Sequence, residues 1–311
     1  MTGRDHGGGI DAAIARFGGT RASWLDLSTG INPVPYPVSQ LPQDAWTALP
    51  DRAAFAALEQ AARRFWSVPD DAAILPATGA SAIIAAIPRI LRGRTVHIPQ
   101  PAYNEHAAAF VAAGWQSDNG PADATVVVHP NNPDGKIWDV DALPAEGAII
   151  IDESFGDLKP SQSLIALASR KNALVLKSFG KFWGLAGMRL GFAIGDPELI
   201  AALKDLLGPW QVSGPALATG AAALQDNVWA DETRLRLAED AARLDGLMVK
   251  AGANIVGGTD LFRLYDVDDA AAWQDRLARH NVWSRIFPYN HRWLRLGLPV
   301  PDRWEQLEAA L

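Results

Sequence analysis

The chain has 311 residues, 49% of them hydrophobic and 20% charged, which suits a globular protein with one large domain and a smaller one. No run of about 18 apolar residues occurs, so no membrane span is expected, and the opening MTGRDHGGGI lacks the apolar stretch of a secretory signal. A net charge of -7 argues against nucleic acid or an anionic membrane as partner, and a chain without cysteine has no disulfide, iron–sulfur cluster or thiol nucleophile. A cytoplasmic location is the expectation.

The first fifty residues carry Gly7 to Gly9 and Pro33, Pro35, Pro37, Pro42 and Pro50, and read as a loop-rich arm with no core of its own. Phe55, Leu58 and Phe65 fit one face of a helix over 53–65. Unbroken apolar runs over 95–98, 126–128, 148–151 and 173–176 read as strands covered on both faces, with a further short strand over 191–194. Beyond Pro209 the texture changes: a long charged amphipathic helix over 230–250 ends before Gly252, followed by a strand over 261–265, a helix over 270–280, a strand over 293–296 and a last helix from 302. The pattern predicts an α/β fold with a mostly parallel central sheet flanked by helices over 46–208. A small α+β domain over 209–311 and an arm over 1–45 that packs with it complete the expected layout. The twelve tryptophans are scattered and read as packing residues.

In open α/β sheets the ligand lies beyond the carboxyl ends of the strands. Those ends carry His129-Pro130-Asn131-Asn132-Pro133-Asp134-Gly135, then Asp152-Glu153-Ser154-Phe155, then Lys177-Ser178-Phe179-Gly180-Lys181 with Arg189 downstream. Thr78-Gly79-Ala80-Ser81 precedes an apolar helix, whose free backbone N–H groups suit a phosphate. Each feature alone has a plain alternative: Asp152 as a turn former, Lys181 as a solvated charge, the Asn-Pro-x-Gly segment as a common turn. Their joint order delivers an amide, a carboxylate and an amine to one crevice, and that order points to function.

Asn132-Pro133-x-Gly135, Asp152-Glu153-x-Phe155 and Ser178-x-x-Lys181 followed by Gly187-x-Arg189-Leu190-Gly191 resemble the motifs of the fold-type I, aspartate-aminotransferase-like family of pyridoxal-phosphate enzymes. The resemblance implies that Lys181 holds the cofactor as a Schiff base, that Asp152 pairs with the pyridine nitrogen and that Asn132 bonds the 3'-oxygen. It also implies that Ser178, Arg189 and the amides of Gly79, Ala80 and Ser81 hold the phosphate, and that Tyr103 stacks on the ring. A carboxylate beside the ring nitrogen raises that nitrogen's pKa, and a guanidinium can pair bidentately with phosphate.

Two further elements, His6-Gly7-Gly8 and Asp26-x-Ser28-x-x-Ile31-Asn32-Pro33, are similar to the branch of threonine-phosphate decarboxylases of cobalamin biosynthesis. Phe155, where many aminotransferases place Tyr, leans the same way. Histidinol-phosphate aminotransferases share the core motifs and form the competing expectation. A nucleotide-binding α/β regulator is disfavoured, since its glycine fingerprint is missing and Lys181 would have no role. The branch implies a phosphorylated amino acid as substrate, with Arg295 on its carboxylate, Arg285 and Arg292 as candidates for its phosphate, and His6, Asn32 and Asn132 contributing. It also implies a homodimer, although Leu49-Pro50-Asp51 stands where relatives carry a Tyr-Pro-Asp that reaches the partner's cofactor.

Overall fold

The computed structural model describes residues 6–311. The chain forms two compact units: a larger one of residues 36–132 and 137–231, and a smaller one of residues up to 35, 133–136 and 232–311.

The larger unit is built on a seven-stranded sheet in the order Ala73–Ala77, Gly191–Gly195, Ala173–Ser178, Ala148–Asp152, Ala124–Val128, Thr95–His97 and Gln116–Ser117. From Ala173–Ser178 onward the strands pair in parallel, whereas Gly191–Gly195 is antiparallel to both of its neighbours. Every residue of Ala124–Val128 and Ala148–Asp152 is buried, as their unbroken β-branched runs require. On one face the helices Ala80–Ile90, Asn104–Ala112 and Pro197–Leu207 pack Ile83, Ile87, Phe110 and Leu203 against Val126, Ile150 and Leu174. On the other, Trp66 meets Phe192 with ring centroids 4.9 Å apart, and Trp183 stacks on Phe179 at 5.1 Å and on Trp229 at 5.2 Å. Among the described residues no helix is long and apolar enough to cross a membrane.

The smaller unit holds a four-stranded antiparallel sheet ordered Arg285–Phe287, Asn290–Gly297, Phe262–Asp266 and Asn254–Thr259. The N-terminal residues belong to it: Leu25 and Asp26 pair in parallel with Val282 and Trp283, and Gly297 N donates to Leu27 O at 2.6 Å. Residues 133–136 also sit in this unit. Gly258 N donates to Asp134 O at 2.8 Å, and a Cβ on Gly135, whose φ is +74°, would lie 1.9 Å from Gly258 O. Only glycine meets both demands at that turn.

Several details differ from the sequence reading. The arm is not all loop, because Ile10–Phe17 is a helix that buries Ile10 and Ala13. Residues 36–45 and 209–231 group with the larger unit rather than with the arm and the small domain. Helix Gly214–Ala223 packs there against Arg52–Phe65. The chain then leaves the larger unit inside a single helix, Asn227–Lys250, which begins earlier than the expected 230.

Candidate active site

A cavity of about 120 Å³ lies in the larger unit, lined by Ala80, Ser81, Tyr103, Asn132, Asp152, Ser154, Phe155, Ser178, Lys181 and Arg189 among others. It gathers residues from the carboxyl ends of strands Ala124–Val128, Ala148–Asp152 and Ala173–Ser178, where a doubly covered sheet exposes its functional groups. A larger open concavity of about 1190 Å³ runs past Thr95, Asp123 and Ala148, at the opposite ends of these strands. Asp123 there is occupied with Arg94 N, Thr95 N and Thr95 Oγ1, a turn-fixing role. We therefore place the site in the smaller cavity, where an amine, a carboxylate, an amide and a guanidinium converge.

Asp152 is 2% exposed. Its Oδ1 accepts from Ser154 N at 2.9 Å and Ser154 Oγ at 2.5 Å, and its Oδ2 is 2.8 Å from His106 Nε2. Burial is the largest single influence on this carboxyl and pushes its pKa up. The bonds from His106 and Ser154, with the attraction of His106, outweigh it, and the net shift is downward from the ordinary aspartate value. Asp152 is thus an ionised carboxylate in a nearly water-free wall. Each oxygen has two lone-pair directions, so the carboxylate retains acceptor capacity toward the cavity.

Lys181 Nζ lies 5.5 Å from the centroid of the Phe155 ring. Tyr103, at the N-terminal edge of helix Asn104–Ala112, meets His106 edge-on with ring centroids 6.1 Å apart. At the head of helix Ala80–Ile90, Gly79 adopts φ +79° and no side chain caps the first N–H groups. A Cβ built at Gly79 would lie 2.6 Å from Arg189 Nη2 and would push the guanidinium aside, and the φ of +79° itself favours glycine. Arg189 itself holds the left-handed φ of +55°, a conformation that costs a non-glycine residue about 1–3 kcal/mol and collects at functional sites. Free amides, the positive end of the helix dipole and a guanidinium together suit a phosphate. These residues fit a pyridine-ring cofactor bearing a phosphate: an ionised carboxylate in the wall, an anion cradle at the helix head and an amine on the same cavity.

All the cofactor residues expected from the sequence line this cavity, apart from Gly79, which abuts Arg189. Of the substrate candidates Asn132 lines it too, while His6, Asn32, Arg285 and Arg295 belong to the smaller unit. There Arg295 is buried, donates from Nη2 to Ser28 O at 2.6 Å and faces Arg285 across paired strands. Burial first, then the like charge of Arg285, brings the Arg295 guanidinium down to about 10. Such a group gains by acquiring an anion. Asn32 is buried, with Oδ1 accepting from Val34 N at 3.0 Å and Arg236 Nη2 at 2.8 Å, and His6 is exposed. Arg292 differs from expectation: it is exposed and committed to Asp266, with Nε 3.1 Å from Oδ2. Sequence reasoning missed His106 and Ser154. The Tyr103-x-x-His106 spacing, which puts two rings on one side of a helix start, was the available signal for the first.

The model of the family described as aminotransferase class I and II matches residues 24–310. A threonine-phosphate decarboxylase from Sinorhizobium sp is 41% identical over 96% of this chain and 93% of its own length. A second threonine-phosphate decarboxylase, from Pseudomonas aeruginosa, is 39% identical over 99% of this chain and 97% of its own. Among solved structures, the histidinol-phosphate aminotransferase from Sinorhizobium meliloti in complex with pyridoxal-5'-phosphate superposes with a TM-score of 0.84 at 22% identity, covering 98% of this chain and 93% of that one. With a fold shared by such enzymes and a match that runs through both units, this chain belongs to the class I and II aminotransferase family.

Proposed function

We propose that this protein is a pyridoxal-phosphate-dependent decarboxylase that converts L-threonine O-3-phosphate to (R)-1-amino-2-propanol O-2-phosphate and carbon dioxide, a step of cobalamin biosynthesis. The observation that carries the reading is one cavity holding Lys181, the ionised Asp152 and the Gly79–Arg189 cradle, in a chain about 40% identical over nearly its whole length to two decarboxylases. When bound, the cofactor supplies an electron sink for the pair released at the substrate's α-carbon.

The protein's part is orientation and charge. Asp152 holds a proton on the pyridine nitrogen, with His106 and Ser154 keeping the carboxylate ionised. Arg189, Ser178 and the amides at the head of Ala80–Ile90 bind the phosphate. Asn132 bonds the 3'-oxygen and Tyr103 covers the ring. Lys181 holds the cofactor and then moves the proton that replaces the lost carboxylate onto the α-carbon. Arg295 takes the substrate carboxylate and Arg285 its phosphate, assisted by His6 and Asn32. Phe155 leaves the 3'-oxygen without the hydroxyl partner that a tyrosine would give.

The working form in this reading is a cytoplasmic homodimer that binds neither nucleic acid nor membrane. For the dimer, the support is that Trp46, Leu49 and Trp210 of the larger unit are 70%, 68% and 54% accessible, apolar surface of the kind a second copy covers. Borohydride reduction of the cofactor-loaded protein, followed by peptide mapping, tests the assignment. The cofactor mass should appear on Lys181, and Lys181→Ala should lose both that label and turnover. Label on another lysine, or wild-type turnover by the variant, would remove Lys181 from the mechanism.

A further inference from the structure

Strand alternation splits the residues at the site into two sets. Asp152 and Ser178 face the cavity. Their chain neighbours Glu153 and Lys177 point to the other face of the sheet, where Lys177 Nζ lies 5.5 Å from the Trp66 ring. Lys177 is 1% exposed and Glu153 is 1% exposed, and neither has a part in the chemistry above. Lys177 Nζ meets Glu153 Oε2 at 2.6 Å and Asp157 Oδ1 at 3.8 Å. Glu153 also accepts from Ser163 Oγ at 2.7 Å and Leu164 N at 2.5 Å. Asp157 accepts from two indoles, Trp66 Nε1 at 2.7 Å and Trp183 Nε1 at 3.0 Å.

The connectivity of this cluster follows the functional residues. Glu153 adjoins Asp152, Lys177 adjoins Ser178, Asp157 lies two residues beyond Phe155, and Trp183 lies two residues beyond Lys181. We propose that the buried Glu153–Lys177–Asp157 cluster, with the Trp183 indole, is a positioning device. From the far face of the sheet it fixes the turns carrying Asp152, Ser178 and Lys181 relative to one another. The inference rests on Lys181 being the cofactor lysine.

A cluster that served only to stabilise the fold could be built anywhere in the core. This one ties the stretch 152–157 to the stretch 177–183, both of which line the one cavity, and a shift of about 1 Å in a positioned group is enough to cost on the order of 100-fold in rate. The pKa of Glu153 is consistent with a paired carboxylate: burial pushes it up, and Lys177, Ser163 and the Leu164 amide together bring it below its ordinary value. Removing one member of a buried ion pair leaves the other uncompensated, so the gentlest variants are the informative ones. Trp183→Phe removes the N–H donor to Asp157 together with the five-membered ring of the indole, and keeps a phenyl ring to stack on Phe179 and Trp229. Glu153→Gln keeps shape and removes charge, and Lys177→Arg keeps the cation.

The test uses the cofactor-loaded wild type and these three variants. Three properties are read: the circular dichroism of the bound cofactor's visible band, the pH midpoint of that band and the thermal midpoint of the protein. In Trp183→Phe and Glu153→Gln the dichroism of the band should fall by about half or more, its pH midpoint should move by at least about 0.5 unit, and kcat should drop roughly 10-fold with KM within about twofold. Lys177→Arg, which keeps the cation, should hold the band midpoint close to that of the wild type. If Trp183→Phe and Glu153→Gln lower the thermal midpoint while the band, its titration and kcat stay as in the wild type, the cluster is structural only and the proposal fails. Should one variant not fold, the other decides by the same readings. The spectra do not depend on which reaction is catalysed, so a wild type that binds cofactor without decarboxylating threonine phosphate sinks the functional reading and leaves this one standing.

Discussion

Replacing Asp152 with Asn separates the charge of the site's carboxyl from its shape. The wild-type side chain satisfies three donors, Ser154 N, Ser154 Oγ and His106 Nε2, at 2.9, 2.5 and 2.8 Å. An amide offers one oxygen and one NH2, so in either orientation a donor faces a donor unless His106 changes tautomer. Losing one hydrogen bond to a charged acceptor in a buried site costs about 1.5–3 kcal/mol, and the stability of the variant at neutral pH should fall by about that much. The loss in catalysis should be larger in consequence. Without the fixed negative charge at the ring nitrogen, about 2–4 kcal/mol of transition-state stabilisation disappears, or roughly 30- to 1,000-fold in kcat/KM. The pH dependence of stability has a definite sign. The folded-state pKa of Asp152 is depressed, burial being outweighed by His106 and Ser154. Its contribution is therefore fully present above the ordinary aspartate pKa and is lost as the pH falls through the lower folded-state value. The stability gap between wild type and Asp152→Asn should shrink over that acidic window. Denaturant melts across pH and steady-state kinetics at saturating cofactor measure both effects. A variant with kcat/KM within about threefold of the wild type would refute the reasoning, since so small a change is under 1 kcal/mol.

Three other perturbations follow from the same geometry. His106→Phe removes the largest influence opposing burial at Asp152, so the acidic limb of the pH–rate profile should move to higher pH; an unmoved limb would show that Ser154 suffices. Arg189→Ala should raise the cofactor's dissociation constant roughly 10- to 100-fold, the equivalent of one or two charge-assisted hydrogen bonds, as read by titration of the apo-protein. Arg285→Ala should raise KM for threonine phosphate at least about 10-fold and leave residual turnover of threonine nearly unchanged, because the lost contact is with a phosphate that threonine lacks.

The readable parts of this protein were those written in local sequence. Strands over 148–151 and 173–176 announce themselves as unbroken apolar runs, and Asp152, Ser154, Ser178 and Lys181 just beyond them line the cavity. Ala73–Ala77 was not legible because Pro76 reads as a strand breaker; it is accepted at the outer edge of the sheet, where its missing N–H is not needed by a further strand. Helix Ile10–Phe17 was hidden by the glycines before it, although Ile10, Ala13, Ile14 and Phe17 have helical spacing. The limit at 231/232 falls inside a continuous helix, so no Gly, Pro or change of texture marks it. His106 reaches Asp152 from 46 residues away, and beyond its spacing from Tyr103 nothing in the local sequence marks that pairing. Glu153 and Lys177 were quoted in the motifs without a role. The period-2 rule could have placed them together behind the cavity, but their burial and their indole partners required the structure.

Decarboxylation and amino transfer both call on Lys181, Asp152 and the phosphate cradle at Arg189, so the decisive measurement is of products. Cofactor-loaded protein is incubated with carboxyl-labelled threonine phosphate, and in parallel with glutamate and imidazole-acetol phosphate. Labelled carbon dioxide should be released in step with aminopropanol phosphate, with at most a trace of 2-oxoglutarate in the second reaction. Robust 2-oxoglutarate formation without carbon dioxide from threonine phosphate would contradict the decarboxylase assignment and make the protein an aminotransferase.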